Sequence, residues 1–195
     1  MGMAWHYETA KWVAKNVCDH IHDRPITYAS GCSGIDMFAT ALHHVTNGKW
    51  TYKFASEPDN NARDVLYSTY KHNGLDMKRI HGDVECKEAM NEDSVNLFVL
   101  TPPCGAFSSQ NRKPQRKKQA NELARIRMAL RYVSLARPNV VVIENVTHPT
   151  VTTPISAEVA RIEKYKWERR VICPSLHLGC PVKRPRMVWV GVREQ

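Results

Sequence analysis

Short runs of β-forming residues alternate with helical stretches along nearly the whole of this 195-residue chain, and that alternation admits few folds. A strand, a covering helix and a further strand close compactly as a parallel unit in which the helix crosses one face of the sheet. The sequence predicts seven strands, at Ile26–Ser30, Thr51–Ser56, Met77–His81, Val95–Leu100, Asn139–Glu144, Glu168–Cys173 and Arg186–Val192. Between Ala120 and Ala136, Leu123, Ile126, Leu130 and Val133 fall on one helical face, and Arg137-Pro138 ends the run, as a crossover helix requires. Residues 4 to 21 carry a second stripe, Ala10, Val13, Ala14, Val17 and Ile21, so a helix formed there must bury that face. No internal repeat or Gly/Ser linker divides the chain. One α/β domain over residues 1–195 is expected, with residues 1–22 as a flanking helix.

The residues able to carry chemistry cluster where these strands end. Strand one runs into "SGCSGID", Ser30 to Asp36, whose glycines permit a tight turn and close backbone approach ahead of a helix N-terminus. Strand two ends at Glu57, 23 residues after Gly34, near the offset of about 20 at which an acid reaches ribose hydroxyls. Strand three leads to Asp83, strand four to Pro102-Pro103-Cys104, and strand five to Glu144-Asn145. An open α/β sheet binds its ligand beyond the carboxyl ends of its strands, where the strand order reverses. With the order 3-2-1-4-5, that point lies between strands one and four, so the glycine turn and Cys104 face one crevice. The two prolines stiffen the approach to the cysteine.

A formal charge of +9 favours a polyanionic partner. The only marked charge run is "NRKPQRKK", residues 111 to 118, which reads either as a solvated loop or as a phosphate-binding patch. Six cysteines form no CxxC pair, so neither a metal site nor a disulfide framework is indicated. No stretch approaches the roughly 20 apolar residues of a membrane span, and the N-terminus lacks a signal-peptide core. The expected location is intracellular, cytoplasmic or on nucleic acid, and not secreted.

In order and content these segments resemble the cytosine-C5 methyltransferase family over residues 28 to 193. "YASGCSGIDMFATAL" is similar to its first motif, "FASEPDNNAR" to its second, "HGDVE" to its third, and "TPPCGAFSSQNR" to the Pro-Cys motif that carries the nucleophile. "VVVIENV" resembles the Glu-Asn-Val motif, and "LGCPVKRPRMVWVGVR" the late Arg-x-Arg motif, with Arg184 and Arg186 in its arginine positions. The departures are Ser33 at a usual glycine, and Gly105 and Val182 at usual glutamines.

The resemblance implies a Rossmann-like class I methyltransferase fold, a mostly parallel seven-stranded sheet of order 3-2-1-4-5-7-6 with helices on both faces. It implies S-adenosylmethionine as cofactor, held by Ser30, Gly31, Cys32, Ser33, Gly34, Glu57, Asp83 and Pro102. Cys104, Glu144, Arg184 and Arg186 would be catalytic, and Arg112, Lys113, Arg116, Lys117 and Lys118 would contact nucleic acid, DNA in preference to RNA. No target-recognition domain is expected within so short a chain, which points to a partner subunit that reads the target sequence. In the family a final helix packs beside the cofactor turn, and the N-terminal helix is expected either to fill that place by circular rearrangement or to be an ordinary flanking helix. Two further readings stay open: a catalytically inactive subunit that binds nucleic acid or cofactor, and a dinucleotide-dependent oxidoreductase. The latter accounts for Glu57 but not for Cys104, Glu144 and the arginines.

Overall fold

A computed structural model describes residues 5–22, 25–84, 89, 91–103 and 116–194, with the backbone alone for 116–118. Its elements in chain order are α1 (Tyr7–Cys18), β1 (Ile26–Gly31), α2 (Met37–Thr46), β2 (Trp50–Ser56), α3 (Asn60–Tyr70), β3 (Ile80–His81) and β4 (Leu97–Leu100). There follow α4 (Arg116–Ala136), β5 (Val140–Asn145), α5 (Pro149–Val159), β6 (Tyr165–Ile172), α6 (Pro174–His177) and β7 (Arg186–Arg193). The strands form one sheet of order β3-β2-β1-β4-β5-β7-β6. The first five run parallel, and β7 lies antiparallel between β5 and β6. This is the expected order and direction.

Side-chain alternation assigns each strand residue to a face. Leu97, Val99, Val140 and Val142 pack with α1, α2 and α3 on one side, whereas Phe98, Leu100, Val141 and Ile143 pack with α4 and α5 on the other. Both faces of β4 and β5 are covered, so these strands are continuously apolar rather than alternating. Glu144 continues the parity of Val140 and Val142, and Asn145 that of Val141 and Ile143. Both carry buried polar groups at the strand's carboxyl end.

Local chemistry sets the helix ends. Asp59 caps α3 by accepting from Ala62 N at 2.8 Å. Arg137 closes α4 in a left-handed conformation at φ 51°, because Pro138 disfavours helix at the residue before it. The helix α1 buries Thr9, Ala10, Val13, Ala14, Val17 and Cys18 and packs against α2. Among the described residues no helix is long and apolar enough to cross a membrane.

Three expectations change. Of the strand expected at Met77–His81 only Ile80–His81 pairs, because Asp76 accepts from Lys78 N at 2.9 Å and turns Met77–Arg79 into a 3-10 helix. The sixth strand begins at Tyr165, where it pairs with Arg193, and the Tyr165 hydroxyl donates to the Pro138 carbonyl at 2.6 Å. The basic run is not one loop: Arg116, Lys117 and Lys118 form the first turn of α4, and Arg112 and Lys113 lie outside the described residues.

Candidate active site

The carboxyl ends of β1, β2, β4 and β5, closed by the start of β7, enclose a crevice of about 890 Å³, a size suited to a small organic ligand. At its floor, the turn after β1 holds Cys32, Gly34 and Asp36 at φ 54°, 55° and 51°, so three of five successive residues are left-handed. Such a backbone needs external anchors, and it has them. Ser33 N donates to the Ser56 carbonyl at 3.0 Å and Gly34 N to Glu57 Oε2 at 2.7 Å. Glu57 Oε1 accepts from Asp59 N at 2.9 Å, so one carboxylate ties the glycine turn to the start of α3.

Beneath the turn lies a polar cluster inside an apolar core. Asp36 caps α2 by accepting from Ala39 N at 3.0 Å, and its carboxylate also accepts from Tyr28 and Tyr52 hydroxyls, the latter at 2.5 Å. Burial raises the Asp36 carboxyl above the ordinary aspartate value, and these hydrogen bonds pull it back in part. Tyr52 and Ser33 hydroxyls both meet Ser30 Oγ, at 2.5 and 2.6 Å, which couples the cluster to the turn. Ser30 and Gly31 therefore underlie the crevice rather than line it. Ser30 is 2% exposed, and a Cβ on Gly31 would stand 2.9 Å from Leu100 Cδ1. Cys32, Ser33 and Gly34 do line it. Burial, with Asp83 and Glu57 nearby, pushes the Cys32 thiol far up, so Cys32 stays protonated and is no nucleophile.

At the other end of the crevice, β4 delivers Thr101-Pro102-Pro103. Thr101 Oγ1 donates to the Cys32 carbonyl at 2.8 Å, and Asn145 Nδ2 donates to the Pro102 carbonyl at 3.2 Å. Pro102 and Pro103 line the crevice, and the next residue, Cys104, lies outside the described residues. Glu144 is 7% exposed and pairs with Arg186, Nε to Oε1 at 2.9 Å. Burial raises its pKa to about 7, with Arg186 and Arg184 opposing the rise. Glu144 thus titrates far closer to neutrality than an exposed glutamate, which suits hydrogen-bond donation or acceptance. Arg184 also faces the crevice.

The structure brings Cys32, Ser33, Gly34, Glu57, Asp83, Pro102, Glu144, Arg184 and Arg186 to one crevice. Sequence reasoning missed two residues there, Arg125 and Trp5, and did not foresee the contacts of Asn145 and Asp36, although both stand in segments that it marks, the end of strand five and the glycine turn. Asn145 stands in the noted Glu-Asn-Val run, and its burial beside prolines was the available clue. Asp36 is a helix-cap residue by position, but its tyrosine cage is a tertiary feature. Arg125, from α4, pairs with Asp83 at 3.5 Å, and Trp5 contributes an aromatic wall; neither carries a local signal.

A family model described as C-5 cytosine-specific DNA methylase matches residues 26–195. Among solved structures, the chain is similar to the Dnmt2 methyltransferase of S. pombe at 19% identity and a TM-score of 0.63, over 87% of this chain and 51% of that one. It is similar to TrmN from Thermus thermophilus at 12% identity and a TM-score of 0.62, over 95% and 48%. The delta-N METTL16 MTase domain aligns at 11% identity and a TM-score of 0.65, over 95% and 81%. At these identities the likeness carries the fold, that of class I S-adenosylmethionine-dependent methyltransferases. The chain spans about half the length of the first two. No curated protein matches it.

Proposed function

The chain belongs to the C-5 cytosine-specific DNA methylase family, and from that premise we propose that it methylates carbon 5 of cytosine in DNA through a covalent adduct with Cys104. The family's methyl donor is S-adenosylmethionine, which when bound supplies an electrophilic methyl group. The crevice fits it. A Cβ on Gly34 would project into open space at φ +55°, so the turn offers bare backbone to a ligand. Glu57 uses one lone pair of each oxygen on a backbone amide and keeps others for ribose hydroxyls. Asp83 stands farther along the same rim.

The observation that carries the reading is the Glu144–Arg186 pair, facing the same crevice as the Pro102-Pro103 approach to the cysteine and the anchored glycine turn. Carbon 5 of cytosine is a poor nucleophile until a thiolate adds at carbon 6. In the proposed reaction the Cys104 sulfur forms that bond, and the displaced electron pair moves into the ring. Glu144 meets the developing charge by hydrogen bonding to, or protonating, ring N3, an interaction that strengthens as the transition state forms. Arg186 orients Glu144, and Asn145 fixes the carbonyl two residues before the nucleophile. After carbon 5 gains its methyl group, a base takes its proton, the carbon–sulfur electron pair leaves with Cys104, and the ring double bond returns. A cytosine stacked in a duplex must first be turned out of the helix to present carbon 6.

Incubation with methyl-labelled S-adenosylmethionine and, separately, DNA and RNA tests the proposal. Label recovered as 5-methylcytosine from DNA is the expected result. Donor binding without 5-methylcytosine in either nucleic acid would favour a non-catalytic binding subunit.

A further inference from the structure

The connection between β6 and β7, residues 173–185, supplies Arg184 to the crevice, and β7 supplies Arg186 at its start. Because β7 runs antiparallel to β5, its start and the connection before it lie at the carboxyl end of the parallel strands, on the crevice side of the sheet. Leu176, in α6, is 75% exposed, the most exposed of the large apolar side chains among the described residues. A single exposed leucine is ordinary on a protein surface. This one is held out by its surroundings. Cys173 and Pro174 are buried, and Leu178 packs inward on the core that includes α1. Cys173 N donates to His177 Nδ1 at 2.9 Å, Ser175 N to the Val182 carbonyl at 3.1 Å, and Cys180 N to the Pro174 carbonyl at 3.2 Å. The backbone is therefore pinned on both sides of Leu176, which keeps that side chain from folding back onto the core.

A second observation identifies what approaches this rim. From Arg169 to Arg193 the chain carries six arginines and lysines and no aspartate or glutamate. Lys183 is exposed directly after Val182, itself exposed on the return of the connection. A segment of one charge sign attracts a polyanion, whereas lysine is depleted from protein–protein contacts.

The proposed reaction takes cytosine out of the base stack and leaves a gap behind it. Proteins that unstack base steps do so with inserted apolar side chains, leucine among them. We propose that the β6–β7 connection faces the nucleic acid and that Leu176 enters the stack where the target cytosine has left it, with Lys183 on the neighbouring phosphates. The inference rests on the function proposed above.

A duplex that the wild-type protein methylates, rebuilt with 2-aminopurine at the methylated position, brightens when that base leaves the stack. With S-adenosylhomocysteine present, the wild-type chain should brighten it. Leu176→Ala should give little of that rise and should methylate the parent duplex about ten- to a hundred-fold more slowly, and Leu176→Met should recover both. Lys183→Gln should weaken binding to unrelated duplexes alike and lower the salt slope by about one. A full rise from Leu176→Ala overturns the proposal whatever its methylation rate, and leaves Leu176 as a surface leucine or a contact for a protein partner. An unaltered salt slope in Lys183→Gln overturns it as well, by removing nucleic acid from this edge. Wild-type protein that methylates no duplex overturns the functional reading, and this inference with it, before any variant is made. Equal thermal unfolding of Leu176→Ala and wild type, expected for a side chain this exposed, separates a lost contact from a lost fold.

Discussion

Replacing Glu144 by glutamine should flatten the pH dependence of stability. In the folded chain the carboxyl titrates at about 7, against an ordinary value of 4.5, because burial outweighs the attraction of Arg186 and Arg184. Between those values the folded state holds a proton that the unfolded state has released, so stability declines as pH rises through the window and levels off above it. The sign is opposite to that of a carboxylate whose pKa is lowered by a salt bridge. Linkage with 4.5 unfolded and about 7 folded gives a loss of about 2 kcal/mol between about pH 5.5 and about pH 8. Glutamine removes the titration while its amide oxygen still accepts from Arg186 Nε, which Glu144 now meets at 2.9 Å. The other acids and the histidines titrate alike in both proteins, so the difference between them isolates this residue. Urea unfolding at the two pH values should show wild type losing about 2 kcal/mol more than Glu144→Gln. Equal losses, or a wild type that gains relative to the variant, would refute the burial argument.

Gly31→Ala would place a Cβ 2.9 Å from Leu100 Cδ1 and 3.2 Å from Val84 Cγ2, and thermal unfolding should register a cost of about 1–3 kcal/mol. Asn145→Ala removes the donor to the Pro102 carbonyl, so stability should fall by about 1–3 kcal/mol and methyl transfer should slow by more than the lost fold explains. Gly34→Ala meets no atom within 4 Å but is held at φ +55°. Strain of about 1 kcal/mol is expected in unfolding, together with weaker S-adenosylhomocysteine binding in calorimetry, because the new methyl enters the crevice.

The strand-end placement of Glu57, Asp83 and Glu144 was legible because it follows from alternation, which a linear pattern carries, whereas the strand order was legible only through the family resemblance. Boundaries were less legible. Glu168, Arg169 and Arg170 fall within the expected sixth strand, but its earlier start at Tyr165 was missed, because β6 is an edge strand and a charged residue such as Lys166 is tolerated on an open edge. Met77 and Lys78 carry β-compatible patterning, but the Asp76 cap converts them to a helical turn. Ile21 is buried as expected, although α1 ends at Cys18 and a turn, not the helix, carries it inward. The contacts of Trp5, Asp36 and Asn145 were hidden for a different reason: each is made with a partner 33, 16 or 43 residues away, namely Phe38, Tyr52 and Pro102. No periodicity encodes such pairings.

The proposed function requires that Cys104, which follows the anchored prolines, attacks the base within the Glu144–Arg186 crevice. A duplex carrying 5-fluorocytosine tests this directly, since fluorine at carbon 5 cannot leave as a proton does and the adduct cannot resolve. With S-adenosylmethionine present, wild-type protein should give a protein–DNA species stable to denaturant, Cys104→Ser should give none, and Cys18→Ser should match wild type. An equal yield of the trapped species from Cys104→Ser would remove this residue from the chemistry and contradict the account.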